Sequence, residues 1–225
     1  FPAISLGARM MKISILGAGN VGGTLGRAWA RKGHDVFFGV PNPQDAKTRE
    51  LLTTIGSKAR AGTVAEAAAA GDVIVLATPW PATKGAIQAA GNLAGKVVVD
   101  CTNPLKPDFT GLALGHTTSG AERVAEWAKG AKVYKAFNQT GFNIMGNPAF
   151  DGQRAVIFVC GDDAAQKPTV LKLATDIGFE AIDAGNLSIA RLLEPYGMLW
   201  IHLAYAQGMG RDFAFVLHRR ETETP

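Results

Sequence analysis

The sequence predicts an α/β protein built on a doubly wound, mostly parallel sheet with a small C-terminal α/β annex. Short apolar runs alternate with helical patterns along the first 145 residues, as in a layered α/β fold. Residues 72–78 are so uniformly apolar that both faces of this strand must be covered, which is typical of the middle of a parallel sheet. A glycine-rich turn also joins the first strand to the first helix.

The order of the predicted elements in the N-terminal part is six strands with helices between them. The strands are predicted at residues 12–16, 36–40, 58–61, 72–78, 97–100 and 132–137. The helices are predicted at residues 25–32, 47–55, 64–70, 81–90 and 120–129. Strand and helix alternation with right-handed crossovers produces a parallel sheet that binds ligands beyond the carboxyl ends of its strands.

The last third of the chain changes character and predicts the annex. Strands are expected at residues 155–160 and 180–183, with a helix at 168–177 between them. Residues 187–207 carry apolar side chains at helical spacing, and Pro195 is expected to kink this helix. Residues 211–217 are expected to add an edge strand.

Composition excludes several classes of protein. With 47% hydrophobic and 19% charged residues in 225, the chain is expected to be globular rather than disordered. The formal charge of +4 suits a phosphate-bearing ligand, but no run of five Lys or Arg indicates a nucleic-acid surface. Cys101 and Cys160 are the two cysteines, so a reducing cytoplasmic location is expected, and the sequence predicts no membrane span.

The glycine turn is the first motif that indicates chemistry. Gly17, Gly19 and Gly22 follow a strand and open a helix, and the unit closes into a second strand. In this context the first glycine permits the tight turn, the second lets the backbone approach a pyrophosphate, and the third lets the helix pack on the strand. The motif predicts a Rossmann-type dinucleotide-binding domain in which the diphosphate contacts Gly17, Ala18, Gly19, Asn20, Val21 and Gly22.

Further cofactor contacts are expected in the loops that follow the other strands. The predicted residues are Val40, Asn42, Thr78, Pro79, Trp80, Asn103 and Asn138. The position that reads the ribose offers no acid, because Asp35 lies at the wrong end of its strand. Lys47 and Arg49 either reach a 2′-phosphate or are solvated helix charges, so these residues leave the choice between NADP and NAD open.

No side-chain arrangement in the sequence indicates acid–base, nucleophilic or metal chemistry. The histidines at 34, 116, 202 and 218 show no metal-ligand spacing, and His116 alone lies in a long loop that could approach substrate. Hydride transfer between two redox cofactors needs stacking and orientation more than a strong acid or base. We therefore predict no catalytic side chain and no metal.

Several segments together resemble the F420-dependent NADP oxidoreductase family. They are MKISILGAGNVGGTLGRAWARKGHDVFFG, VLATPW, KVYKAFN, and VCGDD followed by DAGNLSIARLLEP. The resemblance implies NADP on the sheet and coenzyme F420 in a cleft against the C-terminal part. It also implies that Thr78, Pro79 and Trp80 flank the nicotinamide and that Asn138 lines the cleft. The sequence departs from the family at Val40 and Pro41, where the family has Ser and Arg, and at Asn138, where it has His.

The leading hypothesis is hydride transfer between NADP(H) and a deazaflavin or flavin such as F420. The alternatives are a dehydrogenase or imine reductase of a small metabolite, and a non-catalytic dinucleotide sensor. The sequence also resembles the cytosolic reductase domain of membrane ferric reductases, although no membrane part is expected. Residues 187–207 are expected either to form a homodimer or simply to pack on the sheet.

These predictions divide the chain into four parts. Residues 1–10 are an expected N-terminal extension, and residues 11–145 form the dinucleotide-binding domain. Residues 146–218 form the smaller part with the substrate cleft, and residues 219–225 are a tail.

Overall fold

An eight-stranded sheet organises residues 10–220, which are the residues that the computed structural model describes. The strands are β1 (Lys12–Leu16), β2 (Asp35–Gly39), β3 (Ala59–Gly62), β4 (Val73–Leu76), β5 (Val97–Asp100), β6 (Lys132–Lys135), β7 (Ala149–Phe150), β8 (Gln153–Arg154), β9 (Val156–Gly161) and β10 (Glu180–Gly185). The sheet has the order β10-β9-β6-β5-β4-β1-β2-β3, and β7 pairs with β8 in a separate hairpin. Residues 1–9 and 221–225, most of the predicted extension and tail, lie outside the described residues.

The six predicted strands of the N-terminal part pair in parallel, which confirms the predicted fold class. Strand β9 runs antiparallel to β6, and β10 runs parallel to β9. The winding direction reverses between β1 and β4, and this is where a doubly wound sheet opens a crevice for ligands. The rim is our term for the loops that follow the carboxyl ends of β1, β4, β5 and β6.

Helices cover both faces of the sheet. They are α1 (Asn20–Arg31), α2 (Ala46–Ile55), α3 (Val64–Ala70), α4 (Trp80–Ala90), α5 (Gly120–Trp127), α6 (Phe142–Gly146), α7 (Lys167–Asp176) and α8 (Ala190–Ile201). Helices α1, α2, α6 and α7 pack on one face, whereas α3, α4, α5 and α8 pack on the other. The Trp29 indole N–H donates to the Leu173 carbonyl at 2.9 Å, so α1 and the annex helix α7 are joined inside the core.

The annex differs from the prediction in two places. The helical pattern of residues 187–207 is divided into a 3₁₀ turn (Leu187–Ile189), α8, and a π-helical turn (His202–Ala206), and α8 continues through Pro195. The predicted edge strand at 211–217 is wrong. The Phe215 carbonyl accepts one bond from the Val156 amide, but Phe213 stacks on Trp200, so aromatic packing replaces a regular ladder.

Strands β9 and β10 extend the same sheet as the N-terminal strands. The annex is therefore joined to the rest by hydrogen bonds between β6 and β9 as well as by helix packing. The division near residue 145 stays a prediction about folding units. Helix α1 packs on one face of the sheet and α8 on the other, so the rim lies between these two helices.

Candidate functional site

The glycine turn after β1 has the backbone geometry that its motif predicts. Gly17 has a φ of +109°, and a Cβ added there would lie 2.6 Å from the Ala77 carbonyl oxygen. A Cβ on Gly22 would overlap the Gly17 carbonyl oxygen, so the turn and the start of α1 are in direct contact. A Cβ on Gly19 would meet no other described atom within 4 Å. The backbone at Gly19 is therefore open to the close approach of a ligand.

Helix α1 begins at this open backbone. Gly19 is its N-cap and contributes no side-chain bond, and the first turn consists of the uncharged residues Asn20, Val21, Gly22 and Gly23. The Gly23 amide bonds to the Gly19 carbonyl at 2.7 Å, whereas the amides before it belong to the group that a helix leaves without intrahelical partners. The positive end of a 12-residue helix dipole faces the same space. A diphosphate fits this cradle by charge and by hydrogen bonding.

The loop after β2 is shaped by backbone contacts. Val40 is buried, and its amide donates to the Gly62 carbonyl at 3.0 Å. Asn42 is exposed, and its Oδ1 accepts a bond from the backbone amide two residues later. Asp35 begins β2 at the opposite end, as the sequence predicted, and it pairs with Lys58 at 3.1 Å. Of the two predicted contacts in this loop, Val40 and Asn42, it is therefore Asn42 whose side chain is exposed to solvent.

The loop after β4 forms a rigid side of the rim. Pro79 is the N-cap of α4 and Trp80 is its first residue. The hydroxyl oxygens of Thr78 and Thr83 lie 3.0 Å apart, which braces the first turn. The Trp80 ring is half-buried, with its centroid 5.3 Å from that of Trp127 in α5. The indole therefore packs toward α5, and Thr78 and Pro79 stand nearer to the strand end.

Two asparagines join the loops after β5 and β6. The Asn138 Nδ2 donates to Asn103 Oδ1 at 3.0 Å, and the Asn103 Nδ2 donates to the Asn138 carbonyl at 2.8 Å. The Asn138 Nδ2 also donates to the Leu193 carbonyl at 3.0 Å, and its Oδ1 accepts from Gln139 Nε2 at 2.9 Å. Phe137 has a φ of +60°, which turns the chain at the end of β6. Asn138 is thus bonded within the protein, and Asn103, half-buried, stands nearer to the solvent.

A buried ionic cluster lies beneath these asparagines. The Lys135 Nζ is 2.7 Å from Asp100 Oδ2 and 2.8 Å from Glu194 Oε1, and all three side chains are at most 1% exposed. The Lys135 Nζ also donates to the Thr102 carbonyl at 2.7 Å. Burial alone would lower the pKa of Lys135, but the two carboxylates outweigh it and the pKa is raised. The ammonium is therefore charged.

Glu194 also caps helix α5. Its Oε2 accepts from the Gly120 amide at 2.8 Å and its Oε1 from the Ala121 amide at 3.0 Å. A carboxylate at a helix N-terminus satisfies amides that lack intrahelical partners and interacts favourably with the dipole. The cluster therefore joins β5, β6, α5 and α8 directly under the rim.

Comparison with known proteins identifies the family. The family model for the coenzyme F420-dependent NADP oxidoreductases matches residues 12–104. The crystal structure of a candidate F420-dependent NADP reductase from Arthrobacter sp. FB24 is 34% identical, with a TM-score of 0.84. The similarity covers 93% of this chain and 100% of that one. The chain belongs to the F420-dependent NADP oxidoreductase family. That family consists of NADP-dependent oxidoreductases, as the resemblance implied.

The chain is also similar to one part of a larger protein. The metalloreductase STEAP3 of Rattus norvegicus is 32% identical over 184 residues, which are 81% of this chain. The chain spans 36% of the length of that relative. Within residues 10–220, every helix is too short or too polar to cross a membrane.

More distant solved structures show the same fold. A hypothetical protein of Sinorhizobium meliloti is 24% identical over 94% of this chain and 97% of its own, with a TM-score of 0.75. The reductive aminase of Aspergillus terreus, solved with NADPH, is 21% identical, with a TM-score of 0.65. That similarity covers 88% of this chain and 63% of the aminase. At this identity the similarity concerns the Rossmann-type fold alone.

The structure brings most of the predicted ligand contacts to one edge of the sheet. The glycine turn, Thr78, Pro79, Asn103 and Asn138 follow the carboxyl ends of adjacent strands, and Val40 and Asn42 follow β2. Trp80 is displaced toward α5 by its packing on Trp127. Contact between any of these residues and a cofactor stays a prediction.

Sequence reasoning missed the ionic cluster. Asp100, Lys135 and Glu194 each stand in an otherwise apolar pattern, and charged residues at such positions are almost always paired when buried. That signal was present in the sequence, although it does not say which residues pair.

The two cysteines and His34 are buried, as residues with a structural role usually are. Cys101 and Cys160 are buried and unpaired, and burial raises the pKa of both thiols, that of Cys160 to about 12. His34 is buried directly before β2, and His116 is exposed with a φ of +60°.

Proposed function

We propose that this oxidoreductase transfers a hydride between NADP(H) and a deazaflavin or flavin such as coenzyme F420. The observation that carries the proposal is the open backbone at Gly19, in front of the uncapped positive end of α1. Membership of the family supports F420 as the second substrate. When bound, NADP(H) supplies or accepts the hydride, and the protein binds and orients the reactants.

The residues of the rim would serve different parts of the cofactor. The amides of Asn20, Val21 and Gly22 would hold the diphosphate, since they lie at the start of α1. Thr78 and Asn103 would flank the ring at the ends of β4 and β5, because the switch point of the sheet lies beside β4. Fixed orientation of two reactants can supply several kcal/mol of the barrier reduction, roughly 7 or more in favourable cases.

For the preference between NADP and NAD, we propose that two cations on α2 favour NADP. Asp45 caps α2 and accepts a bond from the Lys47 amide at 3.1 Å, which fixes the start of the helix. Lys47 and Arg49 are exposed there, soon after Val40 and Asn42 in the chain. Their side chains would approach a 2′-phosphate, whose charge they complement.

The proposed function is tested by mixing the purified protein with NADPH and oxidised F420 and following the deazaflavin absorbance. A Gly19→Ala variant should lose NADPH affinity, because the methyl group enters the space that the diphosphate needs. Gly85→Ala is the matched control, since Gly85 is exposed on α4 and a Cβ there also meets no described atom within 4 Å. Turnover that Gly19→Ala abolishes and Gly85→Ala keeps supports the proposal.

The same experiment separates the alternatives. NADPH binding without F420 reduction removes the F420 assignment, and reduction of an imine or a small carbonyl compound would then favour a small-metabolite reductase. Binding without reduction of any acceptor would favour a dinucleotide sensor. If calorimetry detects binding of neither NADPH nor NADH, the dinucleotide site itself is wrong.

We also propose that the chain forms a homodimer in a reducing cytoplasm. One face of α8 packs inside the molecule, whereas Leu192 is 66% exposed and Leu199, one heptad later, is 47% exposed. Tyr205 and Met209, further along the chain, are also exposed. Light scattering of the wild type and of Leu199→Glu tests association through this face, and a monomeric wild type rejects it. The two unpaired buried cysteines support the location.

A further inference from the structure

Helix α8 contacts the rim through Asn138. The Asn138 Nδ2 donates to the Leu193 carbonyl at 3.0 Å, and a Cβ added at Gly197 would lie 2.6 Å from the Asn138 carbonyl oxygen. Asn138 also bonds to Asn103 in both directions. A shift of α8 would therefore move the side-chain amides of both Asn103 and Asn138.

The position of α8 is fixed by Glu194, which follows Leu193 in the helix. Its buried carboxylate receives bonds from three donors on two other elements: the Lys135 ammonium and the amides of Gly120 and Ala121. Directional bonds to a carboxylate set both the distance and the rotation of the helix, which apolar contacts alone do not.

The same cluster holds Asn103 from the other side. The Lys135 ammonium donates to Asp100 and to the carbonyl of Thr102, the residue before Asn103. Asp100 Oδ1 in turn accepts from the Thr102 amide at 2.9 Å and from its hydroxyl at 2.7 Å. The loop after β5 and the helix α8 are therefore held by one ammonium.

We infer that Glu194 is a positioning residue, which holds the Asn103–Asn138 pair at the rim by fixing α8 against Lys135 and the start of α5. The effect on turnover rests on the proposed function, whereas the effect on the backbone of the rim does not. A surface pair supplies the matched control, because Arg191 of α8 bonds Glu122 of α5 at 2.6 Å and joins the same two helices. That pair is partly exposed and bonds neither asparagine.

The test compares Glu194→Gln with Arg191→Met in the full chain. The Gln side chain keeps the shape of Glu, but its Nε2 is a hydrogen-bond donor where the carboxylate oxygens accept bonds from Lys135 and from the start of α5. Helix α8 should therefore lose its fixed position. The Leu105 amide donates to the Asn103 carbonyl, and the Ile144 and Met145 amides donate to the Gly141 carbonyl. Hydrogen exchange of these three amides should rise about tenfold in Glu194→Gln and stay near wild type in Arg191→Met. The affinity for NADPH should stay within about twofold, because α1 and α8 pack on opposite faces of the sheet. The kcat for F420 reduction should fall about tenfold, because Asn103 would no longer orient the ring.

The outcomes separate a positioning role from a purely structural one. Unchanged exchange at these three amides in Glu194→Gln would overturn the inference, as would an equal rise in Arg191→Met. If Glu194→Gln does not fold, Gly197→Ala decides, because it leaves the ionic cluster in place and displaces α8 from the Asn138 carbonyl. Faster exchange in that variant supports the inference, and wild-type exchange overturns it. A wild type that does not reduce F420 contradicts the proposed function, while the exchange data still decide this one.

Discussion

Asn103 and Asn138 bond to each other in both directions, side chain to side chain at 3.0 Å and side chain to backbone at 2.8 Å. The two residues are not equivalent, because Asn138 is 4% exposed and makes further bonds to Leu193 and Gln139. The pair therefore has a buried member that organises the rim and an outer member that is closer to solvent.

Substitution of the two asparagines should separate these roles. Asn138→Ala removes a buried side chain whose partners lose bonds, and we expect the free energy of unfolding to fall by about 2–3 kcal/mol. Asn103→Ala should cost less than about 1 kcal/mol, because Asn103 is only half-buried and the Asn138 Nδ2 keeps its bond to the Leu193 carbonyl. Urea unfolding of both variants checks this. Equal losses of stability would contradict the assignment of inner and outer members.

The turn at Gly17 should be more sensitive than its φ alone implies. A Gly56→Ala variant suffers backbone strain only, since Gly56 has a φ of +87° and a Cβ there meets no described atom within 4 Å. We expect it to cost about 1–3 kcal/mol, because its ψ of −156° lies in a region that essentially only glycine adopts. Gly17→Ala adds a clash with the Ala77 carbonyl and should cost at least about 1 kcal/mol more. Thermal or urea unfolding of the two variants measures the difference, and equal costs would show that the clash relaxes freely.

The strands and the glycine turn could be predicted because their signals are local. The apolar residues of β4 and β5 report burial on both faces directly, and the turn at Gly17 carries its own backbone requirement. The short helix α6 was not predicted, because five residues give too little periodicity to distinguish a helix from a loop.

The organisation beneath the rim could not be predicted, because it depends on contacts between distant parts of the chain. Glu194 bonds an amide 74 residues earlier, and no local pattern selects Lys135 as its partner. The inward direction of Asn138 similarly follows from the contact with α8. Phe213 and Phe215 alternate as in a strand, but the rings of Trp200 and Tyr196 provide a better apolar surface than a sheet edge does.

Removal of the cations at the start of α2 should change cofactor preference. The double variant Lys47→Ala, Arg49→Ala should raise the Kd for NADPH about tenfold, through the loss of two partly solvated contacts of roughly 0.7 kcal/mol each. The Kd for NADH should stay unchanged, because NADH has no 2′-phosphate. Calorimetry measures both.

A matched control for this charge change lies on α1. Arg31→Ala, Lys32→Ala removes the same charge from exposed residues at the far end of that helix. If it weakens NADPH binding as much as the α2 variant does, net charge and not direct contact sets the affinity.

His34 should make stability depend on pH. Burial lowers its pKa below 6.5, although Asp176 opposes the shift, and Nδ1 accepts a bond from the Met11 amide at 3.2 Å. The unfolded state therefore binds a proton more readily than the native state, so stability is complete above pH 6.5 and falls as the pH decreases toward the native pKa. The free energy of unfolding between about pH 7.5 and 5 should decline less in His34→Gln than in the wild type. His218→Gln, at an exposed site, should keep the wild-type slope, and a wild-type slope in His34→Gln would contradict the assignment.

The buried cluster should respond to loss of its ammonium in a pH-dependent way. Lys135→Met leaves the carboxylates of Asp100 and Glu194 buried without their cation, and we expect a loss of about 3–5 kcal/mol at pH 7. One carboxylate should then take up a proton more readily in the native state than in the unfolded state, so part of the stability should return as the pH falls toward about 5. Lys167→Met is the control, because its partner Asp183 is half-exposed and can be hydrated at any pH. Urea unfolding at the two pH values measures both variants. A deficit in Lys135→Met that does not change with pH would mean that hydration, and not a proton, compensates the buried charge.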